Sequence, residues 1–365
     1  MKGNRMPFRQ KFGAVLMMMA FGFCANVMAQ GTTAVPETTP ALNAVTAGQN
    51  VTEGQQTEAA SEQPAKPQPP AMVKTQVPGY YRTMLGQFEV TALFDGTFEF
   101  HPDLLKNAGK QEIDKALSHH YGKTAGIQTA VNAYLINTGE HLVLVDAGAG
   151  QLFSEDQQGR IMENLKAAGY QPEQVDIIVM THLHGDHTGG LSDREGNLLF
   201  PNATVYANKV ENEYWLSEQV AAAAPPEKQM FFKMARESAV PYLTVEKWKP
   251  VEAGVEIVPG IKAVAAYGHT PGHTAFQVTS DGQQLLIWGD IIHSHAIQFN
   301  RPEVAIEYDS DAAKAVATRK SLLKEVADKG ELVAGMHLPF PGLGYVRSEG
   351  NDKYSWVPVE YTPVK

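Results

Sequence analysis

The sequence predicts an α/β fold in which two mixed sheets pack face to face with helices on their outer faces. Three observations carry this reading. Short apolar runs of strand length recur from Phe88 to the C-terminus, helical periodicities divide them into two strand-rich halves, and no repeat of fixed period is visible. The elements follow in chain order.

Lys2, Arg5, Arg9 and Lys11 precede an apolar or small run from Phe12 to Ala25, and Val27-Met28-Ala29 offers small residues for cleavage. This is the layout of a secretion signal over residues 1–29, with a run short of the ~20 residues that span a bilayer. Its removal takes the net charge from −10 to −14 and removes the only cysteine, Cys24. The expected product is a cysteine-free acidic protein, periplasmic or secreted. Residues 30–76 contain no Phe, Tyr or Trp and are rich in Thr, Gln, Glu and Pro, too little apolar area to offset the entropy of ordering. They read as a disordered tether. Aromatics return at Tyr80 and Tyr81, and one domain over residues 77–365 is expected.

Within it, Phe88 to Phe100 alternates on both sides of Asp95-Gly96, a hairpin signature. Ala130 to Ile136 and His141 to Val145 form a second strand pair around Asn137-Thr138-Gly139. Ile161, Leu165 and Ala168 share a helical face that stops at Gly169, and Ile177 to Met180 is a buried-type strand. Helices are expected over Glu211 to Val220 and Glu227 to Glu237. Strands follow at Val255 to Val258, Ile261 to Ala266, Thr274 to Thr279 and Gln284 to Trp288. A helix from Ser310 to Lys329 stops at Gly330, and strands at Leu332 to Gly335 and Tyr354 to Val357 close the chain.

The acidic balance, 30 basic against 40 acidic residues, opposes a grip on a phosphate backbone, so nucleic acid and polyanionic substrates are not expected. The chemistry concentrates in Thr181-His182-Leu183-His184-Gly185-Asp186-His187. Residues two apart on a strand share a face, so His182 and His184 can present both imidazoles to one metal, while Gly185 lets Asp186 and His187 turn to a second position. Without thiolates the donors are nitrogen and oxygen only, which favours zinc, manganese, iron or cobalt in an open catalytic site. His269 in the Gly268-His269-Thr270-Pro271-Gly272-His273 turn, Asp290 after Gly289 at a strand end, and His337 before Pro339-Phe340-Pro341-Gly342 have the form needed to complete a two-metal site.

These residues, with Asp146-Ala147-Gly148 upstream, resemble the metallo-β-lactamase superfamily, and the resemblance spans the domain from about Tyr80 onward. It implies the αββα sandwich and a dinuclear centre at one edge of the sheets. His182, His184 and His269 would hold one ion, Asp186, His187 and His337 the other, with Asp290 bridging and Asp146 accepting from a ligand imidazole. Val77-Pro78-Gly79-Tyr80-Tyr81 and Gly335-Met336-His337-Leu338-Pro339 resemble the methyl parathion hydrolase branch, a neighbour of the N-acyl homoserine lactonases. The lack of cysteine argues against the zinc β-lactamases that use a Cys ligand.

The resemblance implies two divalent transition-metal ions, zinc foremost, about 3.5 Å apart, whose shared hydroxide attacks a neutral ester while Asp186 steers the proton. Phe153, Trp215, Phe231 and Phe232 are candidates for an apolar leaving-group pocket, set against an ordinary core role. His273 is a rival for the place of His269. His293 and His295 are candidates to line the site, and His101, His119, His120 and His141 read as solvated or locally hydrogen-bonded. The expected substrates are organophosphate triesters or aryl esters, with lactones as the alternative and a non-catalytic metal-binding protein as the remote one. No membrane partner is expected once the signal is gone, and a homodimer stays open.

Overall fold

The computed structural model describes residues 70–153 and 157–364. The signal segment and most of the tether lie outside the described residues. The first half of the domain contains β1 (Tyr80–Leu85), β2 (Phe88–Phe100), β3 (Leu105–Lys106), α1 (Lys110–His119), β4 (Ile127–Asn137), β5 (Leu142–Val145), α2 (Ile161–Ala167) and β6 (Ile177–Val179). It continues through α3 (Gly185–Thr188), β7 (Thr204–Asn208), α4 (Lys209–Trp215), α5 (Glu218–Ala223), α6 (Gln229–Thr244) and β8 (Trp248–Val251). The second half holds β9 (Glu256–Val258), β10 (Ile261–Ala265), β11 (Thr274–Ser280), β12 (Gln283–Ile287), α7 (His295–Gln298), β13 (Ala305–Ile306), α8 (Ala312–Lys329), β14 (Leu332–Ala334), β15 (Leu343–Gly350) and β16 (Lys353–Pro358).

Two seven-stranded mixed sheets result, in the orders β1-β2-β4-β5-β6-β7-β8 and β16-β15-β14-β12-β11-β10-β9. Period-two patterning sorts their side chains. Val143 and Val145 of β5 face inward to meet Phe276, Val278, Leu285 and Ile287 of the other sheet, and Leu144 faces outward with Ile178 and Val205 onto Leu165 and Phe232. On the far side Leu286 and Val333 take Leu322, Leu323 and Val326 of α8. The layering is thus helix, sheet, sheet, helix. Among the described residues no helix is long and apolar enough to cross a membrane.

Asp95-Gly96 makes no hairpin. β2 is one strand of 13 residues whose pairing with β4 shifts between Phe94 and Gly96, a bulge that leaves Asp95 buried under α2. Its buried carboxylate accepts the amides of Ala149, Gly159 and Ile161 at 3.0, 3.1 and 3.2 Å, so the acid serves distant backbone where a turn was expected. The hairpin lies earlier, at Gly86-Gln87, with Leu85 opposite Phe88. The helix expected over Glu211 to Val220 is broken in two, because Ser217 caps α5 by accepting from the Val220 amide. α8 takes Asp311 as its cap, one residue later than Ser310. Gly330 closes it at φ 61°, the left-handed conformation that glycine adopts without strain.

Candidate metal centre

The chain leaves the carboxyl ends of five strands at one edge of the two sheets. Asp146 follows β5, His182 and His184 follow β6 and lead into α3 with Asp186 and His187, His269 follows β10, Asp290 follows β12 and His337 follows β14. A carboxyl-end crevice is where open α/β sheets place ligands. One atom from each of His182, His184, His269 and Asp290 falls within 4.8 Å of the others, and the same holds for Asp186, His187 and His337.

In the first group His184 Nδ1 lies 3.0 Å from His182 Nε2 and 3.1 Å from His269 Nε2. In the second, Asp186 Oδ2 is 3.5 Å from Nε2 of both His187 and His337. Asp290 stands between them. Its Oδ2 is 3.6 Å from His182, 3.3 Å from His269 and 3.0 Å from His337, and its Oδ1 is 3.3 Å from His187.

The far nitrogens decide what these inward atoms can do. His187 Nδ1 donates to Asp146 Oδ2 at 2.8 Å, His269 Nδ1 to Asp309 Oδ1 at 2.9 Å, and His337 Nδ1 to the Ala130 carbonyl at 2.8 Å. The Thr181 hydroxyl donates to Asp146 at 2.7 Å, so it accepts from His182 Nδ1 at 3.0 Å. In the neutral ring, each outer contact fixes the tautomer that leaves Nε2 bare. Four lone pairs and two carboxylates therefore converge on one buried space, where His187 Nε2 and Asp290 Oδ1 have no hydrogen-bond partner. Such a donor set is unfavourable alone and fits cations. Asp309 and Thr181 were not singled out from the sequence. Asp309 lies 40 residues from His269 and nothing local signals the pairing.

Burial pushes His182 and His184 well below the ordinary imidazole range. Burial also pulls on His269, but Asp290 and Asp309 outweigh it and raise that ring to about 9. His187 and His337 likewise rise against burial, chiefly through Asp290. Asp290 is held well below the carboxylate range against its own burial, first by His187. A site that draws protons this way also draws metal ions, and the two compete.

His273 is not a rival for His269. Its Nδ1 donates to the Ala266 carbonyl at 3.0 Å and its Nε2 accepts the Asp290 amide at 2.9 Å, so no lone pair is left. His273→Ala is expected to keep the metal stoichiometry and to cost about 1–3 kcal/mol of stability by orphaning that buried amide, as read by elemental analysis and thermal unfolding. His293 does line the site, with Nε2 3.1 Å from Asp290 Oδ2. His295 does not. It turns away, its ring 5.7 Å from that of His120. His101, His119 and His120 are exposed, and His141 pairs with Asp176 at 2.9 Å.

The four aromatic candidates separate. Phe232 and Trp215 are buried in the outer core, 4.7 Å apart, so they cannot present an open wall to a substrate. Trp215 instead packs edge-on against His184 at 5.3 Å. Phe231 is half-buried with its ring 5.5 Å from His184, and Phe153 is exposed with its tip over Gly185. Open aromatic surface beside the centre thus comes from Phe153 and Phe231.

Residues 126–337 match the family model of the metallo-beta-lactamase superfamily. The crystal structure of hydrolase AbOPH in the beta lactamase superfamily superposes with a TM-score of 0.75 at 41% identity, covering 79% of this chain and 100% of that one. AidC, a dizinc quorum-quenching lactonase in complex with a product, superposes with a TM-score of 0.72 at 28% identity, covering 78% of this chain and 99% of AidC. In sequence, N-acyl homoserine lactonase AiiA of Bacillus thuringiensis subsp. kurstaki is 29% identical over 166 residues, 40% of this chain. That alignment spans 58% of AiiA, less than two thirds of its length.

Proposed function

Because the chain belongs to the metallo-β-lactamase superfamily, we propose that it is a metal-dependent hydrolase of neutral esters, with organophosphate triesters or aryl esters as the first substrate class. The observation that carries this reading is the convergence of bare imidazole nitrogens on two carboxylates, one of them, Asp290, shared between both groups. His182, His184 and His269 would hold one divalent transition-metal ion, Asp186, His187 and His337 a second, and Asp290 both. When bound, such ions, zinc foremost, supply a nucleophile at neutral pH and polarise the ester oxygen.

The chain's own side chains do the rest. Asp186 keeps 19% exposure against 3% for Asp290, so it is the carboxylate able to pass a proton toward solvent. Phe153 and Phe231 offer a flat leaving group apolar surface at roughly 25 cal/mol per Å² buried. Trp215, wedged behind His184, keeps that imidazole from turning.

A second reading, hydrolysis of N-acyl homoserine lactones or other lactones, draws support from AidC and AiiA, which bear the lactonase name. Assaying one preparation against an aryl triester, an acyl homoserine lactone, an aryl ester and a phosphodiester separates the readings. Preference for the phosphodiester would sink both. Phe231→Ala is expected to raise KM for the aryl substrate roughly tenfold with both ions retained, since it removes binding surface and no ligand. An unchanged KM would place the leaving group elsewhere.

A further inference from the structure

A second buried acid touches no ligand side chain yet ties two ligand-bearing loops together. Glu211 lies in the first turn of α4 and is fully buried. Its Oε1 accepts the Gly272 amide at 2.6 Å and its Oε2 the Leu183 amide at 3.2 Å. Leu183 sits between His182 and His184, and Gly272 follows His269 by three residues. Both bonds therefore end on the loops of the first three-histidine group. A carboxylate in this place is costly to desolvate unless its oxygens are bonded, and both are.

The neighbourhood is built for close approach. A Cβ on Gly272 would meet the Glu211 amide nitrogen at 2.6 Å and Asn208 Oδ1 at 3.0 Å, so the His269 loop lies directly on the start of α4. Asn208 caps α4 by accepting from the Val210 amide and donates to Thr274 Oγ1 at 3.0 Å, fixing the helix to the strand that follows this loop. One turn along the same face, Trp215 reaches the His184 ring.

We propose that Glu211 is a positioning residue that holds the His182–His184 and His269 loops in register, and so sets metal affinity at that end of the centre alone. It rests on the metal-centre reading above, but not on the substrate class, because the test uses no substrate.

Zinc-loaded wild type and Glu211→Gln are titrated with a chromophoric chelator, and zinc release is followed together with thermal unfolding of the zinc-free proteins. Glutamine keeps one acceptor and turns a donor toward the other amide. The expected result is that one of two zinc ions leaves at ten- to hundredfold lower chelator concentration while the other is held as in wild type, with the zinc-free melting temperature nearly unchanged. Release of both ions as in wild type, or of both together with a large fall in melting temperature, overturns the proposal. Gly272→Ala, which pushes the His269 loop off α4, serves if Glu211→Gln does not fold, and the same one-ion loss is expected. A wild type that binds no zinc removes the metal-centre reading itself.

Discussion

Asp290→Asn is expected to loosen both metal positions at once and to abolish turnover. Its carboxylate spans both groups, with one oxygen 3.3 Å from His187 and the other within 3.6 Å of His182, His269 and His337. The substitution removes the charge that balances two cations and sets an amide N–H where it can donate to the imidazole lone pairs that would otherwise hold metal. Changes outside the ligand set already cost ten- to a hundredfold in affinity, so a loss above about 100-fold is expected for both ions. Elemental analysis after dialysis should then find both depleted in parallel. Retention of one ion at full occupancy would mean that Asp290 is not shared.

The largest loss of stability is expected from Arg319→Met. Arg319 is 1% exposed on α8, and its guanidinium donates to the carbonyls of Ile291, Pro302 and Val304 at 2.6, 3.0 and 2.8 Å. It also stands 4.0 Å from Asp309, the acid that anchors His269. Burial lowers the guanidinium to about 10, which leaves it charged at neutral pH. Methionine fills similar volume but strands the Ile291 and Pro302 carbonyls, leaves Val304 with Gln298 alone, and removes the guanidinium charge beside Asp309. Breaking a buried pair this way costs about 3–5 kcal/mol, or roughly 10 °C in melting temperature for a domain of this size. Calorimetry on the metal-free protein checks it, and a shift under about 2 °C would contradict the role given to Arg319.

The clustered His and Asp residues were legible in the sequence because their pattern is local. A His-Xaa-His at a strand exit, a glycine and then Asp-His announce themselves by spacing. Single His or Asp residues after apolar strands can be matched to them in order. The supports were not legible. Asp309, Glu211 and Asp95 act through contacts across 40, 28 and 61, and 54 to 66 residues, and a lone acid in a helix or bulge has no pattern that distinguishes it from a surface charge. Asp95-Gly96 misled because the dipeptide suits both a hairpin and a bulge, and only its placement between β1 and β4 decides. The short strands β7 and β8 passed unnoticed for related reasons. β7 has five residues with no long alternation, and β8 carries Pro250, which an edge strand tolerates. Trp215 and Phe232 went inward because α4 and α6 pack over the first sheet, a fact of tertiary assembly that aromatic spacing cannot supply.

The two sheets contribute to the centre from opposite halves of the chain, the first candidate ligand at residue 182 and the last at 337. That separation orders events in time. No half-folded intermediate containing only the first sheet owns a complete set for either ion, since His269 and His337 arrive with the second. Contacts so distant in sequence form late, after the loop entropy of joining the halves has been met. Capture of the proposed ions is therefore expected to follow the joining of the two halves, a seal on a finished scaffold rather than a seed for it. A nascent chain that met metal early would have only the local His182–His187 cluster to offer, a weaker trap from which the ion can still escape.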